Sequence, residues 1–347
     1  MSEMMMNRLP QPTWNRLRVN GVSVSCPDAF PAADAEFRLP EGSGILHTEA
    51  DDTFADSGLC DALAQVNAGP CHVLTFPQNS HTEGSVLVRV PLNDGGFRLH
   101  LIAEKHSSGS VAVLLEGSAE ATALARVTAE AEEDAQLHVS VCRLMKGQGT
   151  VLQDFCAHVG DNASVKLIQL ELGGGTSFVG NRAELIGRRS AYEADMGYDL
   201  SGGRLDVNLV ARHRGPHSTS RMDALGILGE GGVKCFRDTI DFVHGCHDAV
   251  GSETEDVLML GDEVVNQSVP LILCDEENVD GTHGATIGRL DEDTLYYMAS
   301  RGIDEEAARG MVARARMRAV CELIPCAEAR EAAMACISST EEPQHDD

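Results

Sequence analysis

The segment Thr282-His283-Gly284-Ala285-Thr286 sets one imidazole among small residues, where a histidine can either hold a metal ion or hydrogen-bond the backbone of a turn. A second group, His213, His217, His244, Cys246 and His247, would place several metal-binding side chains on adjacent turns if the chain coils back on itself. Imidazole and thiolate suit zinc or iron, although these spacings match no established ligand motif. Eleven cysteines run from Cys26 to Cys336 with no Cys-x-x-Cys pair and no zinc-ribbon spacing, so they read as reduced thiols. Thr239-Ile240-Asp241 and other Ser, Asp and His combinations form no nucleophile elbow, and no Gly-x-x-x-x-Gly-Lys loop is present to cradle phosphates. The chain is therefore expected not to be an enzyme.

The elements that must position His283 lie close to it in the sequence. Val269 to Cys274 is a short apolar run that reads as a strand, with Cys274 as a small buried hydrophobe, and the acids that follow, with Gly281, turn the chain. After Arg289 the period becomes helical. Asp291 is placed to cap a helix, Leu295, Met298 and Ala299 share one face, and Gly302 stands where a left-handed residue ends it. Asp304 can cap a longer helix with Glu305 and Glu306 in its first turn. In it Ala308, Met311, Val312, Ala315, Ala319 and Leu323 recur as an apolar stripe until Pro325, over about 30 Å. Arg309, Arg314, Arg316 and Arg318 make that helix locally basic, and a third helix is expected from Ala327 to Ile337.

Upstream, Val86, Val88 and Val90 alternate with polar residues, as do Phe97, Leu99 and Leu101, then Val111, Val113 and Leu115, then Leu137, Val139 and Val141. Turns recur at Gly160-Asp161-Asn162, Gly187-Arg188-Arg189, Gly215-Pro216, Gly245-Cys246 and Gly281-Thr282, in steps of 27, 28, 30 and 36 residues. Between them lie strands such as Val165 to Leu172, Leu205 to Ala211 and Asp256 to Leu260. A mainly β chain wound as a solenoid fits this pattern, since each coil buries its apolar face on its neighbours; a β-sandwich is the alternative. The expected organisation is a small N-terminal region over 1–80 with a helix near Leu59 to Val66, a β core over 81–290, a helical domain over 291–340 and a disordered acidic tail over 341–347.

The 347 residues carry 54 acids against 27 bases, a formal charge of −27 that repels phosphate backbones and anionic lipid. Nucleic acid and membrane are thus not expected as partners. No apolar run reaches the roughly 20 residues of a membrane span, and Met4 to Met6 gives way at once to Arg8, Pro10 and Pro12, so the expected compartment is the cytoplasm.

Thr282-His283-Gly284-Ala285-Thr286-Ile287-Gly288 followed by Tyr296-Tyr297-Met298-Ala299-Ser300-Arg301-Gly302-Ile303 resembles the C-terminal end of the SufB/SufD family of iron–sulfur cluster assembly, in its SufD form. Pro12-Thr13-Trp14, Val19-Asn20-Gly21 and Leu258-Met259-Leu260-Gly261 with Pro270 extend the likeness. The resemblance implies a right-handed parallel β-helix core and a transient iron–sulfur cluster shared with a SufB-like paralogue, with His283 as the candidate ligand. It also implies docking of a SufC-type ABC ATPase on Tyr296, Tyr297, Ser300, Arg301, Gly302, Ile303, Met311 and Ala315. Helices in that region could equally fold back to cap the end of the solenoid. Two ligands of the SufB pattern are missing: Val264 stands in place of its cysteine and Gly284 in place of the glutamate after its histidine. Gly281 replaces a cysteine common in SufD, and Ser252-Glu253-Thr254-Glu255-Asp256-Val257 lacks the usual Gln and Asn. The expected function is that of a SufD-like subunit of a SufBCD complex. The alternatives are a homodimeric SufB/SufD-type scaffold working with SufC alone, and a β-solenoid metalloprotein using His213, His217, His244 and His247.

Overall fold

The computed structural model describes residues 1–13, 15–49 and 54–339. Trp14 and the acidic tail over 341–347 lie outside the described residues.

The alternating runs become strands whose apolar sides face one shared interior. Leu137, Val139 and Val141 lie in the strand Gln136–Arg143, and each is in register with a residue 28 positions on: Val165, Leu167 and Gln169. From Cys71 onward successive strands go alternately to two facing nine-stranded sheets, so each pairs in parallel with the strand two places after it. The repeat of 25 to 32 residues seen in the registers is one coil: a strand in one sheet, a turn, a strand in the other. Val86, Phe97, Val113, Val139, Leu167, Val207 and Phe236 belong to the continuous core enclosed between the sheets. This is the β-solenoid, a parallel β-helix, and the sandwich alternative falls because from Cys71 onward no strand pairs with the next one in sequence.

Backbone geometry explains the turn period. Asn79, His106, Asp134, Asn162, Arg189, His217 and Asp248 all have φ between 52° and 60° and form one column along an edge of the solenoid. Each donates its N–H to a carbonyl of the following coil, as His217 does to His247 at 2.9 Å and Asp248 to Asn278 at 2.7 Å. Two residues before three of these positions stand Gly160, Gly187 and Gly215, stacked so closely that a Cβ on Gly187 would lie 2.0 Å from the Gly160 carbonyl carbon. In the next coil Cys246 takes the glycine position and is buried in the core. The expected turn at Gly281-Thr282 is not one: the chain turns at 275–278, and Gly281 lies inside the ten-residue strand Val279–Gly288. Gly281 is small because a Cβ there would sit 2.9 Å from the Phe242 ring one layer below.

Both outer faces of the solenoid are covered. The N-terminal segment lies on one, packing Met6, Cys26, Phe30, Leu59 and Leu63 against Leu124, Leu152 and Phe178. The helix expected near Leu59 to Val66 is a short 3-10 helix, Asp61–Gln65. Buried ion pairs pin this segment: Asp154 pairs with Arg126 and accepts hydrogen bonds from Ser57 Oγ at 2.9 Å and the amides of Gly58 and Leu59 at 2.6 and 3.1 Å. Farther along, Asp206 bridges Arg237 and Asn7.

The other face carries the helices α1 (Glu292–Ser300), α2 (Glu305–Cys321) and α3 (Ala327–Ser339). Their ends are as local chemistry dictates. Asp291 and Asp304 accept from the amides of Thr294 and Ala307 at 2.7 and 2.8 Å. Gly302 (φ +82°) closes α1 in a Schellman motif, with Gly302 and Ile303 amides donating to Ala299 and Met298 carbonyls. The buried face of α2 differs from the expected stripe. Ala313, Met317, Val320 and Cys321 pack on Cys142, Ile168 and Leu170 of the sheet, while Met311, Ala315, Ala319 and Leu323 face solvent. Helices α2 and α3 lie across the sheet and do not cap its end, and α1 packs against α2.

The two ends of the solenoid contrast. At the start, the short antiparallel strands Glu36–Arg38 and Ile45–Glu49 close both sheets. At the far end, Val265–Cys274 and Val279–Gly288 are terminal in their sheets, each with one long edge unpaired.

Candidate functional site

His283 stands in the middle of the terminal strand Val279–Gly288, exposed, with no side-chain hydrogen bond or ion pair among the described residues. Its parity sets its direction. His283 is in register with Glu253, which is in register with Met222, and Met222 belongs to the enclosed core. The imidazole therefore continues an inward-facing row past the point where the solenoid stops. Cys274, at the end of the neighbouring terminal strand, is exposed, which corrects the expectation of burial; its thiol donates to the Glu276 carbonyl at 3.0 Å. It continues the row of Phe242, but no further coil covers it.

One layer beneath His283 the interior changes from apolar to ionisable. Lys234, Asp238, Glu253 and Glu255 all point inward and are buried. Glu255 is fully engaged: Lys234 Nζ pairs with it, Ser268 Oγ donates to it, and Tyr198 OH donates to it at 3.1 Å. Glu253 is only 1% exposed, and neither carboxylate oxygen has a hydrogen-bond partner; the Leu271 amide gives it weak support only. Burial, then the neighbouring Asp238 charge, push the Glu253 carboxyl up to about 9. Burial and then Glu255 push Asp238 up to about 7, and burial pulls the Lys234 ammonium down. At neutral pH Glu253 is a neutral acid held directly under an open imidazole. Sequence reasoning passed over this layer. Its signal was parity: Gly251, Glu253, Glu255 and Val257 alternate in phase with inward residues of the previous coil.

The second group splits. His213 is buried, with its two ring nitrogens 2.8 Å from Ser218 Oγ and Ser220 Oγ, and burial lowers its pKa to about 4. Cys246 lies in the core, where burial raises its thiol to about 11. His244 is fully outside, its Nδ1 3.8 Å from Glu276. His217 and His247 do come together, with ring centroids 5.3 Å apart, and they meet Asp248, which sequence reasoning did not include.

The expected docking residues form an outward surface. Tyr296 and Tyr297 are 78% and 55% exposed on α1, which has no buried residue, and Met311 is 44% exposed on α2. Arg301 lies over the Tyr297 ring at 5.1 Å, and Ser300 Oγ donates to the Tyr297 carbonyl.

A long parallel solenoid with a bare terminal edge, a lone imidazole on it and helices along one flank places the protein in the class of parallel β-helices. Residues 95–316 match the model of the SUF system FeS cluster assembly SufBD core domain, and the chain belongs to that family. It is 28% identical over 183 residues to the iron-sulfur cluster assembly protein SufD of Bacillus subtilis, covering 44% of this chain and 42% of that one. It is 28% identical over 246 residues to a SufBD family protein of Mycobacterium leprae (68% and 60% of the two chains), and 23% identical over 260 residues to a chloroplastic SufBD family protein of Arabidopsis thaliana (67% and 44%). The chain thus spans about half the length of these curated relatives. No helix among the described residues is long and apolar enough to cross a membrane.

Proposed function

We propose that this chain is a SufD-type subunit of an iron–sulfur cluster assembly complex, contributing an assembly surface in place of catalysis. One observation supports this above the rest: two ten-residue terminal strands each leave one edge unpaired at one end, with His283 at the centre of one of them, whereas the other end is closed. Long unpaired edges are templates for pairing with another chain. The partner would be a SufB-like chain, with His283 as a soft ligand to a transient cluster whose other ligands the partner supplies. Val265 and Ile287, both about half exposed, would be covered in that contact. Tyr296, Tyr297, Met311 and Ala315 would carry the contact with a SufC-type ATPase, since they face away from the solenoid while the opposite side of α2 holds the helix in place.

Co-expression with a SufB-like chain and a SufC-type ATPase tests the three parts separately. Ile287→Lys should abolish recovery with the SufB-like chain, and Met311→Glu should abolish recovery with the ATPase. His283→Ala should retain both partners and slow cluster maturation on the order of tenfold or more. Unchanged maturation in His283→Ala would return the residue to an ordinary edge position. Recovery of a stable dimer of this chain alone would favour the homodimeric scaffold.

A further inference from the structure

We propose that His217, His247 and Asp248 bind one divalent transition-metal ion of the zinc, cobalt or nickel class, at a surface site distinct from His283. The residues come from successive coils: His217 and Asp248 occupy consecutive places in the left-handed column, and His247 precedes Asp248. Asp248 Oδ2 lies 2.9 Å from His247 Nδ1 and 3.6 Å from His217 Nδ1. One ligand atom from each of the three residues falls within 4.8 Å of the others. An ion bound at about 2.0–2.2 Å holds tetrahedral nitrogen and oxygen ligands roughly 3.4 Å apart, a value that the two distances to Asp248 Oδ2 bracket. Asn278 Nδ2 donates to the other oxygen, Asp248 Oδ1, at 2.6 Å, which orients the carboxylate; Oδ2, hydrogen-bonded to His247 Nδ1 at 2.9 Å, is the oxygen the metal would take, with the ion replacing the shared proton.

The donor set selects the class of ion. Two imidazoles with one carboxylate favour borderline cations over magnesium or calcium, and the open positions are filled by solvent. The site is reached directly from water, and the chain's charge of −27 raises the local concentration of any cation. The left-handed backbone at His217 and Asp248 is common to the whole column and belongs to the fold, so the ligands are placed by the coil period and need no folding step of their own. A bound ion would tie the turn at His217 to the next one at His247, close to the open end.

The test is titration of the full-length, tag-free chain with cobalt(II), followed by visible absorption, and with zinc by calorimetry. One equivalent is expected to bind. His217→Asn, which keeps a residue tolerant of the left-handed backbone, and His247→Ala should each weaken binding at least tenfold. His244→Ala and His283→Ala should stay within twofold, which separates this site from the cluster reading. Absence of saturable binding, or binding unchanged in both His217→Asn and His247→Ala, overturns the proposal.

Discussion

Replacing Glu253 by Gln should make the protein more stable, by an amount that grows with pH. In the unfolded chain a glutamate ionises near 4.3, whereas burial and the Asp238 charge hold the native Glu253 carboxyl up to about 9. Between these values the native state keeps a proton that the unfolded state has lost. For an acid raised in this way, native stability is complete below the unfolded value and declines as pH climbs toward the folded one. Each pH unit inside the window costs about 1.4 kcal/mol, so from pH 6 to pH 8 the wild type should lose about 2–3 kcal/mol through this group alone. Gln has nearly the same shape and cannot ionise. Asp238, raised to about 7, faces Glu253 across the interior with Glu255 and Lys234, and His283 stands above. All four remain in the variant, so the difference between the two proteins isolates Glu253. Urea denaturation of the isolated chain at pH 6, 7 and 8 measures it. Curves for wild type and Glu253→Gln that stay parallel across this range would refute the idea that a neutral acid is trapped in the last closed coil.

Asp154→Ala should destabilise the chain by about 3–5 kcal/mol, because Arg126 and the amides of Gly58 and Leu59 lose a buried acceptor at once; a loss below about 1 kcal/mol in urea denaturation would show that the N-terminal segment is held by apolar packing alone. Gly187→Ala should cost at least about 2 kcal/mol, since its Cβ would meet the Gly160 backbone and neither coil can retreat without breaking register. Gly288→Ala, which meets open space, serves as the control and should change stability by less than about 0.5 kcal/mol. Equal melting temperatures for these two variants would contradict the stacked-glycine column.

Much of the local structure could be read from residue order. Period-two runs such as Val86, Val88 and Val90 became inward rows, and Asp291, Asp304 and Gly302 mark helix ends because capping depends on residues within one turn. The turn at Gly281 was misread because a glycine in a strand and a glycine in a turn have the same local signature. Only the ring of Phe242, 39 positions earlier and one layer below, tells them apart. The stripe on α2 was misplaced for a similar reason: with many alanines and arginines, its apolar face is weakly marked, and the sheet residues Cys142, Ile168 and Leu170 decided which side was covered.

The same division holds for the sites. The family resemblance singled out His283 and the candidate surface of Tyr296, Tyr297 and Met311, and spacing put His217 and His247 in one group with His213, His244 and Cys246. They could not separate His213, sealed between two serines, from His247, open to water, because burial is a property of coils that stack across 30 residues of chain. Nor could they show that Glu253 lies beneath His283. Sequence order determines which side chains share a row; only the stacking of one coil on another determines what each of them touches, and whether water reaches it.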